Sequence, residues 1–235
     1  LAARGILVTG NDHLGHGDTA QAGEHGHYGE KDGRFHLLDD LHTMNSLLHE
    51  RFPGLPIILY GHSMGSFYAR WYAEKWPESI TALIISGTAG PSVMNAIGQR
   101  LAALIAAVKD NDAASPNAWL SRDTQVVRDY DADKLCTFSF TAGTYREMLA
   151  TLNHVSRKSW AEGIAKDLPI LLIAGDADPV GNYGAGVRTV WAMLGDAGVQ
   201  DLTCQIYEGA RHELHNETNR QEVFDYVLTW IECHI

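Results

Sequence analysis

Five short runs rich in Ile, Leu and Val, at residues 6–9, 57–60, 82–85, 170–174 and 203–207, constrain this chain more than any other feature, because most of them are continuous rather than alternating. A strand that is apolar at successive positions is buried on both faces, the condition of a parallel sheet covered by helices on each side. The intervening segments supply such helices. Leu37, Leu41, Met44 and Leu48 recur at helical spacing, Phe67 to Trp76 reads as helical, and Val223, Val227, Trp230 and Ile231 form a stripe near the end. Strands alternating with amphipathic helices predict an α/β fold with a mainly parallel sheet. At 235 residues, 45% of them apolar and 20% charged, the chain suits one large domain with an insertion.

The rhythm breaks once. Between the strand ending near Ser86 and the next at Ile170 no convincing strand occurs, so residues 90–168 are expected to form a helical cap inserted into a core made of 1–89 and 169–235. Val93 to Lys109 and Thr141 to Ser156 look helical, separated by the turn Ser115-Pro116-Asn117. The cap's apolar residues, among them Met94, Ile97, Leu101, Leu104, Ile105, Phe138, Phe140, Met148 and Leu152, are expected mainly to pack between cap and sheet, with a few left to line an acyl groove.

Composition excludes several classes of function. Eighteen Lys and Arg against 29 Asp and Glu leave a net charge of −11, which disfavours nucleic acid and anionic lipid as non-specific partners. The longest apolar stretches, near Leu101–Val108 and Pro169–Ala174, fall short of the roughly 20 residues of a membrane span. Cys136, Cys204 and Cys233 are odd in number and widely spaced, which suggests reduced thiols and a cytoplasmic setting. Leu1-Ala2-Ala3-Arg4-Gly5 reads as the last turn of a helix stopped by glycine and running into the strand at 6–9. There is no initiating Met, so the start looks cut and a signal peptide could precede it.

The strongest chemical signal is Gly61-His62-Ser63-Met64-Gly65, a G-x-S-x-G directly after one strand and directly before a helix. A serine on that sharp turn stands above the sheet at a helix N-terminus, where developing negative charge is favoured, and the glycines at 61 and 65 leave room for neighbouring backbone. Because 23 glycines make the pentapeptide easy to meet by chance, the flanking elements carry the argument. A serine hydroxyl needs a base and a group to orient that base. Gly175-Asp176-Ala177-Asp178-Pro179 places carboxylates beyond a strand end, Asp178 being the better orienter, while Asp176 or both could simply hold the turn. His212, in Glu208-Gly209-Ala210-Arg211-His212-Glu213 after the last strand, is the expected base, with His215 its competitor. Ser63, Asp178 and His212 also follow one another in the order nucleophile, acid, base.

The chain resembles the α/β-hydrolase fold serine hydrolases of the monoacylglycerol lipase and lysophospholipase group, related to serine aminopeptidases. The segments that carry the resemblance are Asn11-Asp12-His13-Leu14-Gly15-His16-Gly17, Gly-His-Ser-Met-Gly at 61–65, Gly-Asp-Ala-Asp-Pro-Val at 175–180 and Arg-His-Glu at 211–213. The resemblance implies Ser63 as nucleophile, Asp178 as acid, His212 as base and the Met64 N–H as one oxyanion donor. It makes the insertion at 90–168 a lid over the acyl site, with Phe138, Phe140 and Met148 as candidate substrate contacts. The family's second oxyanion donor lies on a His-Gly loop with no counterpart here. It would precede Leu1 in a segment of about 40 to 60 residues at ordinary element lengths, and losing it would cost roughly 10²–10³ in turnover.

The expected function is therefore a serine carboxylester hydrolase acting through an acyl-enzyme on monoacylglycerols or lysophospholipids, with transient contact to a lipid surface and no cofactor. Alternatives are a short-chain carboxylesterase, thioesterase or peptidase, or a catalytically silent binding protein of the same fold. Ser at 63 argues against a dehalogenase. Three further features have mainly bland readings. His25-Gly26-His27, in a region also holding His13, His16 and His36, could bind a metal, but no convergent carboxylate or cysteine set accompanies it, so no metal is expected and the loop reads as irregular surface. The glycine-rich run 181–186 lacks a phosphate-binding spacing and reads as a flexible approach to the next helix. Asp12 and His16 either brace the nucleophile loop or make ordinary turn hydrogen bonds.

Overall fold

A computed structural model of the protein describes residues 1–20, 23–91 and 115–235. The sheet comprises β1 (Ile58–His62), β2 (Ala82–Ser86), β3 (Ile170–Gly175) and β4 (Leu202–Tyr207), in the spatial order β1-β2-β3-β4 with every neighbouring pair parallel. The described helices are α1 (Gly33–Arg51), α2 (Met64–Lys75), α3 (Thr124–Ala132), α4 (Ala142–Val155), α5 (Lys158–Gly163), α6 (Ala185–Asp196) and α7 (Arg220–Glu232). Parallel neighbours cannot be joined by tight hairpins, and the crossovers α2 and α6 fill two of the connections.

The continuous apolar runs are explained by burial on both faces. Every residue of the two central strands, β2 and β3, is buried. Leu83, Ile85, Ile170, Leu172 and Ala174 point into the larger core with Leu37 and Leu38 of α1, Phe67, Tyr68 and Tyr72 of α2, Leu152 of α4, Trp160 of α5 and Val187 and Val190 of α6. The alternate residues Ala82, Ile84, Leu171 and Ile173 meet Val223, Val227, Trp230 and Ile231 of α7 on the other face. Burying each large aliphatic side chain contributes about 1.5–3 kcal/mol, so the central pair of strands anchors the domain.

Four sequence expectations need comment. Residues 6–9 form no strand: among the described residues β1 pairs with β2 alone, and Leu7 and Val8 are 56% and 63% exposed. An extended segment without a neighbouring ladder leaves its backbone groups to water, and only Ile6 packs, on the face bearing α7. The helix expected at Val93 to Lys109 lies outside the described residues. The turn at 115–117 and the helix over 141–156 are present, the latter with Thr141 as its N-cap, accepting from the Thr144 N–H at 3.3 Å. Helices α3 and α5 were not anticipated, because α3 buries only Val127 and α5 is too short to show a period. Among the described residues no strand interrupts the interval from Ser86 to Ile170, and no helix is long and apolar enough to cross a membrane.

A buried arginine joins three of these elements. Arg70 of α2 is fully buried and donates to the backbone oxygens of Ala89, at 3.0 Å, and of Val155 at the end of α4. Its guanidinium lies 4.4 Å from the centre of the Trp160 ring, and the Trp160 indole N–H returns a bond to the Arg70 carbonyl at 2.9 Å. Replacing Arg70 by alanine would leave two carbonyls unpaired and a void beneath Trp160. We expect Arg70→Ala to lower stability by about 3–5 kcal/mol in urea titration. An unchanged unfolding midpoint would show that the guanidinium does not join these elements.

Candidate active site

The site begins with a backbone conformation. Ser63 stands between β1 and α2 with φ 52° and ψ −123°, a region that costs a non-glycine residue about 1–3 kcal/mol and persists only where its surroundings enforce it. Two contacts enforce it. The Ser63 N–H donates to the Ser86 carbonyl at the end of β2, at 3.0 Å, and the Ser63 carbonyl accepts from the N–H and hydroxyl of Ser66, at 2.9 and 2.5 Å. A Cβ at Gly61 would come within 2.6 Å of both the Ala69 Cβ and the Gly65 carbonyl, so the close approach of α2 requires glycine there. Gly65 differs from expectation: a Cβ at that position meets open space. Met64 opens α2, where the leading N–H groups of a helix have no intrahelical acceptor.

A carboxylate and an imidazole meet at the ends of the next strands. Asp178, in the loop after β3, is fully buried; its Oδ1 accepts from the Val180 N–H at 2.8 Å and its Oδ2 lies 3.0 Å from His212 Nδ1. A carboxylate at Nδ1 places the ring proton there and leaves Nε2 with its lone pair. Asp176 is engaged elsewhere, accepting from the Gly209 N–H at 2.6 Å and so tying the loops after β3 and β4 together. His215 contacts the Tyr60 hydroxyl, its Nε2 lying 2.9 Å away. Ser63, Asp176, Asp178 and His212 follow the carboxyl ends of parallel strands, where α/β sheets open a crevice.

Sequence reading missed three residues around His212. Gly87, directly after β2, has φ 55°, and a Cβ there would lie 3.0 Å from His62 Cε1 and 3.1 Å from His212 Cε1. The available signal was a glycine at the crevice edge of a strand. The His62 ring packs 4.7 Å from that of His212 and its Nδ1 lies 3.1 Å from the Ser86 hydroxyl. Trp119, from the interval between β2 and β3, covers the His212 ring at 5.0 Å, and no local pattern announces it.

The other expected residues divide. Asp12 and His16 serve their own loop: Asp12 accepts from the Asp18 N–H at 2.9 Å, and His16 Nδ1 lies 3.0 Å from the Leu14 carbonyl. Phe138 and Phe140 flank the His16 ring edge-on, at 5.4 and 5.6 Å, while Met148 packs against the larger core together with Met64. The loop carrying His25 and His27 is not irregular surface, since His25 packs on Phe138 and His27 Nδ1 lies 3.0 Å from the Thr141 hydroxyl. Among the described residues no group of three or more His, Cys, Asp or Glu is arranged to hold a metal ion. The run 181–186 forms a compact turn, with the Gly186 N–H donating to the Gly181 carbonyl and the Tyr183 N–H to the Asp178 carbonyl, both at 2.9 Å.

Burial, then the neighbouring His212 and His215, holds the His62 imidazole well below its ordinary pKa of 6.5, and burial lowers that of His215 as well. The unfolded chain therefore binds more protons than the folded one as pH falls from 6.5 through the lowered folded values, so the contribution of these groups is fully present above 6.5 and lost on acidification. Melting temperatures should decline as pH is lowered from about 7 to 5, and less steeply in His62→Gln. Parallel profiles for the two proteins would show that His62 does not contribute.

Comparison with known proteins agrees with this architecture. Residues 1–219 match the family model described as serine aminopeptidase, S33. The chain is 29% identical to the monoacylglycerol lipase of Mycolicibacterium smegmatis over 100% of its own length and 81% of that protein, and 29% identical to human monoglyceride lipase over 96% and 73%. Among solved structures, a thermostable carboxyl esterase from Bacillus coagulans in complex with glycerol superposes with a TM-score of 0.83 at 32% identity, covering 95% of this chain and 79% of that one. The chain belongs to the serine aminopeptidase S33 family and is a serine hydrolase with an α/β-hydrolase fold.

Proposed function

We propose that this hydrolase cleaves carboxylic esters of monoacylglycerol type through an acyl-enzyme formed on Ser63. The observation that carries the reading is the buried His212–Asp178 pair at 3.0 Å, at the same edge of the sheet as the left-handed turn that presents Ser63. Ser63 Oγ attacks the ester carbonyl as His212 Nε2 takes its proton, and the tetrahedral oxyanion receives a hydrogen bond from the Met64 N–H. Collapse expels the alcohol, protonated by His212. Water then repeats the sequence on the acyl-enzyme, releasing the fatty acid and restoring Ser63. Asp178 keeps the imidazole in the tautomer this requires and stabilises its cationic form. The reaction needs no cofactor.

The substrate class is supported by the relatives whose names specify monoacylglycerol or monoglyceride. A second reading, hydrolysis of shorter carboxyl esters, is favoured by the similarity to the Bacillus coagulans carboxyl esterase.

Treatment with a fluorophosphonate should add one adduct to the intact mass, absent in Ser63→Ala. Asp178→Asn should retain the fold while kcat drops about 10⁴-fold, because the amide favours the wrong imidazole tautomer. Equal labelling of wild type and Ser63→Ala would remove Ser63 from the mechanism. A chain-length series of monoacylglycerols, run beside lysophosphatidylcholine and p-nitrophenyl butyrate, separates the substrate readings. The proposal expects kcat/KM to rise with acyl length on the glycerol esters, and a maximum at the shortest esters would favour the second reading.

A further inference from the structure

The loop that carries His212 is fastened to a segment remote from it in sequence. Residues 118–123, from the interval between β2 and β3, lie along residues 211–220. The His212 and Glu213 N–H groups donate to the carbonyls of Trp119 and Leu120, at 3.4 and 2.8 Å. Arg211 Nη1 donates to the carbonyls of Ala118 and Ser121, at 2.6 and 3.0 Å, and the Ser121 hydroxyl to the Asn216 carbonyl at 2.7 Å. At the centre is Glu217, whose side chain has no exposed surface. Its Oε1 accepts from the Arg211 N–H at 2.7 Å and the Arg122 N–H at 3.2 Å. Its Oε2 accepts from Arg122 Nε at 2.7 Å and the Thr218 N–H at 3.0 Å. Arg122 Nη2 then reaches Asn219 Oδ1 at 2.6 Å.

A buried carboxylate that accepts four hydrogen bonds, one of them from a guanidinium, has both oxygens fully engaged and little freedom to move. Two of those bonds come from residue 122 and one from residue 211, immediately before His212. Asp178 thus holds His212 through its ring, while Glu217 holds the backbone of the preceding residue through the Arg211 N–H. Trp119, carried by the clamped segment, packs beside the ring at 5.0 Å, tilted by 41°.

We infer that Glu217 and Arg122 form a positioning clamp that sets the His212 imidazole toward Ser63 and makes residues 118–123 part of the same rigid unit as the base. The inference rests on the proposed role of His212. Because the bonds concern placement of the base rather than substrate, loosening them lowers kcat and leaves KM in place. A misplacement of the order of 1 Å costs up to about 10²-fold in rate.

The test uses the full chain carrying Arg122→Ala, Arg122→Lys or Glu217→Gln, with p-nitrophenyl butyrate turnover, fluorophosphonate labelling and the low-field proton resonance of His212 Nδ1–H as readouts. Arg122 is partly exposed and its truncation removes only the guanidinium bond, leaving Glu217 three backbone donors, so Arg122→Ala carries the test if Glu217→Gln fails to fold. We expect Arg122→Ala to lower kcat about 10-fold with KM within about twofold, to broaden or shift the resonance, and to recover in part with lysine. Wild-type protein that takes up no fluorophosphonate overturns the role of His212 on which the inference rests. Labelled wild type with kcat in Arg122→Ala unchanged within about twofold overturns the clamp itself. So does a fall in kcat with the resonance unmoved, or a change confined to KM.

Discussion

The left-handed backbone at Ser63 is the constraint from which the rest of the site follows. A strand cannot pass into a helix through that conformation unless the helix starts immediately and lies against the strand end, and the contacts of Gly61 with Ala69 and Gly65 are the mark of that approach. The Ser63 N–H is bonded to the last residue of β2, so the turn is registered to the sheet as well as to its own helix. Strain at this residue is sustained by the burial of β2 and β3 on both faces, whose apolar contacts greatly exceed it.

Parallel topology does the assembling. Because all four strands run the same way, the loops following β1, β2, β3 and β4 emerge along one edge, bringing together residues far apart in the chain. Gly87, directly after β2, provides the empty volume into which the His62 and His212 rings fit. Burial of Asp178 strengthens its interaction with His212 and requires that both of its oxygens be bonded, a condition met by Val180 on one side and His212 on the other.

Two further buried charges show how polar groups hold these loops in place. Arg70 joins α2 to the loop after β2 and to the end of α4, using backbone carbonyls as acceptors. Glu217 performs the complementary task on the opposite side, using backbone N–H groups and one arginine. Each sits where backbone leaves regular structure and cannot complete its own hydrogen bonds. The site is therefore framed by a cation that gathers carbonyls and an anion that gathers amides.

Much of this was legible in the residue pattern. The apolar runs at 57–60, 82–85, 170–174 and 203–207 imply strands buried on both faces, the stripes at 37–48 and 223–231 imply their covering helices, and Gly-His-Ser-Met-Gly implies the turn, because each is a property of a few neighbouring residues. The run at 6–9 has the same composition and forms no strand, since pairing depends on a neighbour that composition does not specify. Choosing Asp178 over Asp176 rested on pattern in the sequence, whereas the structure gives each aspartate a distinct partner, His212 for one and Gly209 for the other. Trp119, Arg122 and Glu217 left no local trace, because their partners lie elsewhere in the chain. Local sequence thus determined the elements and the candidate nucleophile, through periodicity and backbone strain. Only the tertiary structure decided what surrounds His212, because hydrogen bonds between segments 95 residues apart exist only once the sheet has brought them together.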